Sequence, residues 1–184
     1  PRPQSRFCVC RDVDVLAEYS QPVEMLVEGL LEKHSLTMLC GSWGTGKTNL
    51  LLAAGLSVSL GLPLAGRFRA KPGRVLFVGF EASPYQYAKQ HRKLLNGLEV
   101  TTGRLDMVLA RGEDLDNPAT WSDFLNMVRE GAYDVVLLDG LNALSRADEN
   151  SNTEMDPIMH KLTDLAALGC TVVFTHHTGK PRLG

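Results

Sequence analysis

The sequence predicts an α/β fold in three layers, αβα, with a mainly parallel central sheet and helices on both of its faces. Strand-like runs alternate with helix-like stretches along most of the chain, the pattern of strands joined by right-handed helical crossovers. Two runs, residues 74–80 and 133–139, are almost continuously apolar, as in strands buried on both faces. A chain of 184 residues with 44% hydrophobic residues can bury a sizeable core in one domain.

The core is preceded by a segment that is predicted to lead into it. Residues 1–35 form this N-terminal segment, with a short helix at 12–19. The core domain is predicted over 36–184 and begins with the apolar strand 36–40. Because the first residue is Pro1 and not methionine, we expect the natural start of the protein to lie upstream.

The remaining core elements alternate between helix and strand, and each has its own boundary signals. Helices are predicted at about 49–60, 83–96, 117–130 and 155–168, and strands at about 74–80, 105–110, 133–139 and 171–175. Ser83 is a suitable N-cap for the second of these helices. Pro157 is predicted in the first turn of the last helix, which Gly169 ends. The polar stretch 141–153 is predicted to be a loop of functional length.

The most specific motif lies between the first core strand and the first core helix. It fits the pattern G-x-x-x-x-G-K-[ST] at every fixed position: Gly41, Ser42, Trp43, Gly44, Thr45, Gly46, Lys47 and Thr48. The glycines of such a loop let backbone N–H groups curl around phosphate oxygens, and the helix behind it adds its positive dipole end. The motif therefore predicts a nucleotide-binding phosphate loop.

Individual roles follow from the chemistry of this loop. We expect Lys47 to reach the β- and γ-phosphates and to assist catalysis, and Thr48 to place its hydroxyl on Mg²⁺. Asn49, the next residue, is a further nucleotide-binding candidate. The direction of Trp43 stays open between the nucleotide and a neighbouring subunit.

Polar residues also stand where other strands end, and ligands of such sheets bind beyond the carboxyl ends of the strands. Asp139 follows four apolar residues and is a candidate ligand of Mg²⁺, although Asp139-Gly140 is also a common turn signal. Glu81 follows the strand at 74–80 and is a candidate general base for hydrolysis. A glutamate at this place could alternatively serve only as a helix-start residue favoured by the dipole.

Two histidines, His176 and His177, end the last strand. A hydrogen-bonding group there could contact the γ-phosphate and respond to its loss. Because neighbouring strand residues point to opposite faces, only one of the two can face the phosphate. The sequence does not decide which one.

Together these elements resemble the RecA-like P-loop ATPase core, and most closely the RepA-type hexameric replicative helicases and AAA_25-like ATPases. The resemblance covers about residues 30–180 and is carried by the phosphate loop, the strand ends at Glu81 and Asp139, and the segment 176–180, His-His-Thr-Gly-Lys. It implies ATP hydrolysis with Mg²⁺, with Glu81 activating water, Asp139 binding the metal and one histidine sensing the γ-phosphate.

The resemblance also implies partners. Members of that family hydrolyse ATP at subunit interfaces of a ring, so a homo-oligomer, a hexameric ring, is expected. Two loops, 140–153 and 178–184, would face a channel for single-stranded DNA, with Arg146, Lys180 and Arg182 as possible DNA contacts. The family fold continues beyond this segment and there supplies a trans-acting arginine finger, so the core at 36–184 is expected to be truncated at its C-terminus.

Composition restricts the setting. The net charge of −2 and a pI of about 6.2 give no global basic field, so contact with nucleic acid needs local patches or an assembled ring. No run has the length of a membrane span and no signal peptide is visible. The four cysteines match no zinc-site spacing and suit a reducing compartment. We therefore expect a cytoplasmic protein without membrane partners.

Two other functions fit the same motifs. The chain could be an ATP-dependent switch or scaffold in recombination, signalling or defence, with no unwinding activity. It could also be a P-loop small-molecule kinase, for which residues 86–93 would form a basic lid. Clean capping and helical spacing favour interpreting 86–93 as a solvated helix face.

Overall fold

Five parallel strands form the central sheet. The computed structural model describes residues 9–18, 20–109, 113, 115–140 and 152–178. Along the chain the sheet strands are β3 (Leu36–Gly41), β4 (Val75–Gly79), β5 (Asp106–Leu109), β6 (Val135–Asp139) and β7 (Thr171–His177). In space they lie in the order β3-β7-β6-β4-β5, and every neighbouring pair is parallel. The predicted α/β class is confirmed.

Helices cover both faces of this sheet: α2 (Lys47–Leu60) and α3 (Pro84–Gly97) on one, α4 (Pro118–Gly131) and α5 (Asn152–Ala166) on the other. A further helix, α1 (Asp12–Glu18), precedes the sheet and buries none of its residues. Alternate strand residues serve the two faces: Phe77 packs in the cluster with α2 and α3, whereas Leu76 packs in the cluster with α4 and α5. The strands β4 and β6 are buried at every position, which explains their continuously apolar sequences.

The N-terminal segment contains an element that the sequence did not reveal. A small antiparallel pair, β1 (Met25–Val27) and β2 (Leu31–Glu32), precedes the sheet. Three of its residues, Leu26, Val27 and Leu31, are buried against the α2 side of the core. Strands of three and two residues are too short to show an alternating pattern, so only packing reveals them. The predicted boundary between residues 35 and 36 stays a prediction.

Several boundaries differ from prediction. Helix α5 begins at Asn152, three residues before the predicted start, so Pro157 lies inside the helix and its predicted first-turn position is wrong. The polar residues at the start of α5 resemble a loop in composition, and they are helical because the apolar side of α5, including Ile158 and Leu162, packs on the sheet. The last strand continues through His176 and His177.

The fold places the carboxyl ends of β3, β4, β6 and β7 next to one another. Gly79 pairs with Asp139 across β4 and β6, and Gly41 pairs with His177 across β3 and β7. The predicted site residues that follow these strands therefore share one edge of the sheet. Within the described part of the chain, none of the helices has the length and apolar character needed to cross a bilayer.

Candidate functional site

The phosphate loop connects β3 to the start of α2. Gly44 and Gly46 have φ angles of 75° and 88°, in the left-handed region that favours glycine. Gly46 occupies the N-cap position of α2, and no side chain caps the helix. Gly46 has no side chain with which to accept from the first N–H groups of α2, which leaves a helix start suited to an anion.

Lys47 lies across this loop, with 8% of its surface exposed. Its ammonium group donates hydrogen bonds to the carbonyl oxygens of Gly41 and Ser42, both at 2.9 Å. Its Nζ also lies 3.0 Å from Nδ1 of His177. All three protons of the ammonium group thus have acceptors within the protein, at the point where the loop would hold a phosphate.

His177 connects Lys47 to Glu81. An ammonium group can only donate, so Nδ1 of His177 accepts from Lys47 and Nε2 carries the ring proton. That Nε2–H faces the carboxylate of Glu81, whose two oxygens each lie 3.2 Å away. The side chains of His177 and Glu81 are 11% and 19% exposed, although Glu81 as a whole residue is exposed.

The position of His177 also explains the direction in which the Trp43 side chain points. The indole of Trp43 stacks on the imidazole of His177, with ring centroids 3.9 Å apart and planes 9° from parallel. Trp43 is otherwise 73% exposed. Of the two predicted histidines, His177 faces the phosphate loop, whereas His176 pairs with Cys40 and alternation directs its side chain to the other face of the strand.

Asp139 forms the second part of the site and is 1% exposed. Its carboxylate accepts hydrogen bonds from three hydroxyl groups: Thr48 at 3.0 Å, Tyr87 at 2.9 Å and Thr175 at 3.2 Å. Thr175 in turn accepts from the backbone N–H of Gly140 at 2.8 Å. These contacts hold the carboxylate rigidly beside the start of α2.

The chemistry of this pair fits Mg²⁺. Thr48 and Asp139 offer a hydroxyl and a carboxylate oxygen in direct contact, and Mg²⁺ prefers oxygen ligands while keeping several waters. Among the described residues there is no group of three or more His, Cys, Asp or Glu side chains placed to hold a metal. A metal that shares its coordination with waters and substrate phosphates does not need such a group.

Glu81 lies close to the Asp139 strand end. It follows β4 by two residues, and its carboxylate packs over Gly140, where an added Cβ would clash with it. Gly140 has a φ angle of 100°, which also excludes an ordinary side chain. The glycine after Asp139 is therefore required by the position of Glu81 as well as by the turn.

Tyr87 is a residue of this site that the sequence interpretation missed. It is fully buried, and its hydroxyl donates to Oδ2 of Asp139 while accepting from the backbone N–H groups of Glu81 and Ala82, both at 3.2 Å. Burial, reinforced by the charge of Asp139, raises the pKa of Tyr87, so the phenol keeps its proton and remains a donor. The seven-residue spacing from Tyr87 to the packed Leu94 was the available signal of a buried face.

A cleft continues from the start of α2 along α3. It has a volume of about 310 Å³ and is lined by Asn49, Gln86, Lys89, Gln90 and Lys93. The exposed Asn49 thus lies beside the phosphate loop in an open groove. The predicted DNA-contact residues Arg146, Lys180 and Arg182 lie outside the described residues.

The parallel sheet, the phosphate loop and the strand-end residues around it define a P-loop ATPase domain. Residues 3–182 match the AAA_25 family, an AAA domain, and the chain belongs to that family. The match confirms the resemblance to RecA-like ATPases of this type. No curated protein was found to match the chain.

Proposed function

We propose that this chain hydrolyses ATP with Mg²⁺ and that hydrolysis drives a ring-shaped DNA helicase or translocase in replication. One observation carries the ATPase part. Lys47, His177 and Glu81 form a continuous hydrogen-bonded chain, with contacts of 3.0 and 3.2 Å, beside the Thr48–Asp139 pair. A phosphate-binding cation, a candidate metal site and a candidate base thus converge on one phosphate loop.

Each residue has a distinct role in this proposal. The N–H groups of the loop and of α2 bind the phosphates, and Lys47 exchanges its loop carbonyls for phosphate oxygens. Thr48 and Asp139 would hold Mg²⁺, which neutralises charge on the phosphates when bound. Glu81 orients a water and takes its proton.

His177 serves as the sensor. When Lys47 turns to a phosphate, Nδ1 of His177 loses its donor, and the other side of the same ring holds Glu81. Occupancy of the phosphate loop is thereby communicated to the candidate base through a single imidazole. His176, on the opposite face of the strand, has no part in this contact chain.

The finer part of the proposal rests on the resemblance to RepA-type helicases. It comprises a homo-hexameric ring in the cytoplasm, single-stranded DNA in its channel, and DNA contacts by Arg146, Lys180 and Arg182. Several subunits contributing a few cations each can neutralise a phosphate backbone that one subunit with a net charge of −2 could not.

The deciding experiment measures ATP turnover of the full-length protein with and without single-stranded DNA, and unwinding of a forked duplex. Glu81→Gln is expected to lower turnover about 10²–10⁴-fold while ATP affinity is retained. Glu130→Gln, at an exposed position on α4, is the matched control and should leave turnover unchanged.

The outcomes separate the candidate functions. Turnover that DNA does not stimulate, with no unwinding, removes the helicase part and favours an ATP-dependent switch or scaffold. If ADP is released without free phosphate, and a small-molecule acceptor becomes phosphorylated in equal amount, the result supports a kinase. Unchanged turnover in Glu81→Gln contradicts the assignment of the base.

A further inference from the structure

Tyr87 joins two strand ends that carry different parts of the proposed chemistry. Its hydroxyl contacts the side chain of Asp139, at the end of β6, and the backbone of Glu81 and Ala82, just beyond β4. We propose that Tyr87 is a positioning residue that fixes the Glu81 backbone against the carboxylate of Asp139. The inference rests on the proposed function only where it concerns turnover.

The hydrogen-bonding capacity of this hydroxyl is fully used. A phenolic hydroxyl has one proton to donate and lone pairs to accept with. Tyr87 donates to Asp139 at 2.9 Å and accepts from two successive backbone N–H groups at 3.2 Å. A water could satisfy any one of these groups, but it would not be held at a fixed place by a side chain, so the distance between the two strand ends would no longer be set.

The ring of Tyr87 is held as firmly as its hydroxyl. It packs edge-on against Phe77, with centroids 5.3 Å apart and planes at 70°. Gly79 in β4 leaves the space for it, since a Cβ there would lie 2.5 Å from the ring. A tyrosine therefore reaches Asp139 only because the strand beneath it carries a glycine at this position.

The first turn of α3, which carries Tyr87, is itself held in place by hydrogen bonds. Ser83 and Gln86 form a capping box, in which the Ser83 hydroxyl accepts from the Gln86 N–H at 3.1 Å and the Gln86 side chain accepts from the Ser83 N–H at 3.0 Å. Tyr87 is in the next position, and its own N–H bonds to the Ser83 carbonyl at 3.0 Å. The segment from Glu81 to Tyr87 is thus held at its start by the Tyr87 hydroxyl and at its end by the first hydrogen bonds of α3.

The consequence concerns the placement of Glu81. Its carboxylate can reach His177 and a water near the phosphate only from a defined backbone position. Loss of the Tyr87 hydroxyl would free this backbone, while Asp139 keeps its contacts with Thr48 and Thr175. We therefore expect turnover to fall while nucleotide binding is retained, the pattern of a residue that acts through another.

The test is Tyr87→Phe, which removes only the hydroxyl, compared with Tyr133→Phe. Tyr133 also donates to an aspartate, Asp106, at 2.8 Å, but at the other end of the sheet. Amide hydrogen exchange of Glu81 and Ala82 is measured first in nucleotide-free protein. It should be about tenfold faster in Tyr87→Phe, because both amides lose their acceptor, and unchanged in Tyr133→Phe.

ATP turnover is the second measurement. Tyr87→Phe should lower kcat about 10–100-fold, with the Kd for an ATP analogue within about threefold of wild type. In a Glu81→Gln background the same change should have little further effect on kcat, because the group that it positions is absent. Tyr133→Phe should not change kcat in either background.

The outcomes are distinguishable from failure of the proposed function. If the wild type does not hydrolyse ATP, the proposed function fails, and amide exchange still decides whether Tyr87 holds the backbone. Unchanged exchange at Glu81 and Ala82 overturns the inference. So does an active wild type whose kcat survives Tyr87→Phe, or a loss that is equally large with Glu81→Gln present.

Discussion

The two ends of the sheet carry the same contact in different surroundings. At the carboxyl end Tyr87 donates to Asp139 at 2.9 Å, and at the amino end Tyr133 donates to Asp106 at 2.8 Å. Tyr87 and Asp139 are 0% and 1% exposed, whereas the Asp106 side chain is 55% exposed. Arg74 also lies beside Asp106, at 3.5 Å.

This difference shows that the length of a hydrogen bond alone does not determine how much it contributes to stability. At the amino end water can replace either partner, so the contact contributes little to stability. At the carboxyl end each buried group must find its partner within the protein, and loss of one group leaves the others unsatisfied. The same end carries the candidate catalytic residues. Changes to its polar groups are therefore expected to lower both stability and turnover.

The largest expected difference comes from removing the two acceptors. Asp139→Ala leaves three hydroxyl groups without their common acceptor, and we expect it to lower the free energy of unfolding by about 2–3 kcal/mol and to abolish turnover. Asp106→Ala should cost less than about 1 kcal/mol and leave turnover intact. Urea unfolding of the nucleotide-free proteins checks this, and equal losses at the two ends would break the comparison.

The next difference lies within the carboxyl end, between the two histidines. His177→Gln removes the link between Lys47 and Glu81, so turnover should fall about 10²-fold. His176→Gln, on the other face of the same strand, should stay within about threefold of wild type. Steady-state turnover at saturating ATP decides this, and a larger loss for His176→Gln would reverse the assignment of the sensor.

Gly79 tests how tightly the carboxyl end is packed. Because a Cβ at Gly79 would lie 2.5 Å from the Tyr87 ring, Gly79→Ala should lower the free energy of unfolding by about 1–3 kcal/mol. Gly97 ends α3, and a Cβ added there would meet no described atom within 4 Å apart from its chain neighbours and the backbone of its own helix, so Gly97→Ala should be neutral or slightly stabilising. A neutral Gly79→Ala would mean that the ring can move, which weakens the view of a rigid carboxyl end.

The smallest effect is expected at an exposed carboxylate, Glu24, that forms ion pairs with two lysines. Glu24 contacts Lys33 at 3.1 Å and Lys71 at 3.2 Å, and hydrogen bonds from these lysines hold its pKa below the usual 4.5. A lowered folded-state pKa stabilises the fold above pH 4.5, and this contribution is lost as pH falls through the folded-state pKa. Glu24→Gln should therefore lower the urea midpoint slightly at pH 7 and not in acid. A difference that persists in acid would contradict this origin.

Much of the site could be predicted because its residues are specified by short, local sequence patterns. The phosphate loop needs glycines, a lysine and a threonine at fixed spacing, and Asp139 and Glu81 stand directly after apolar strands. Parallel strands deliver such residues to one edge of a sheet whatever their order in the chain. The convergence of Lys47, Asp139 and Glu81 therefore followed from strand assignment alone.

Other parts could not be predicted because they depend on side-chain packing between distant segments. Tyr87 lies in a stretch whose polar and basic residues indicated a solvated face, and it is buried only because Gly79 makes room beneath it. The start of α5 has a polar sequence, and its helical state depends on packing against the sheet.

By itself, the sequence determined the α/β class, the phosphate loop and the polar strand ends, because these follow from hydrophobic period and from fixed local spacing. The tertiary structure alone decided that His177 rather than His176 meets Lys47, that Trp43 stacks on that histidine, and that Tyr87 joins Asp139 to the Glu81 backbone. These contacts span between 6 and 134 positions of sequence, and strand register and helix packing bring their partners together.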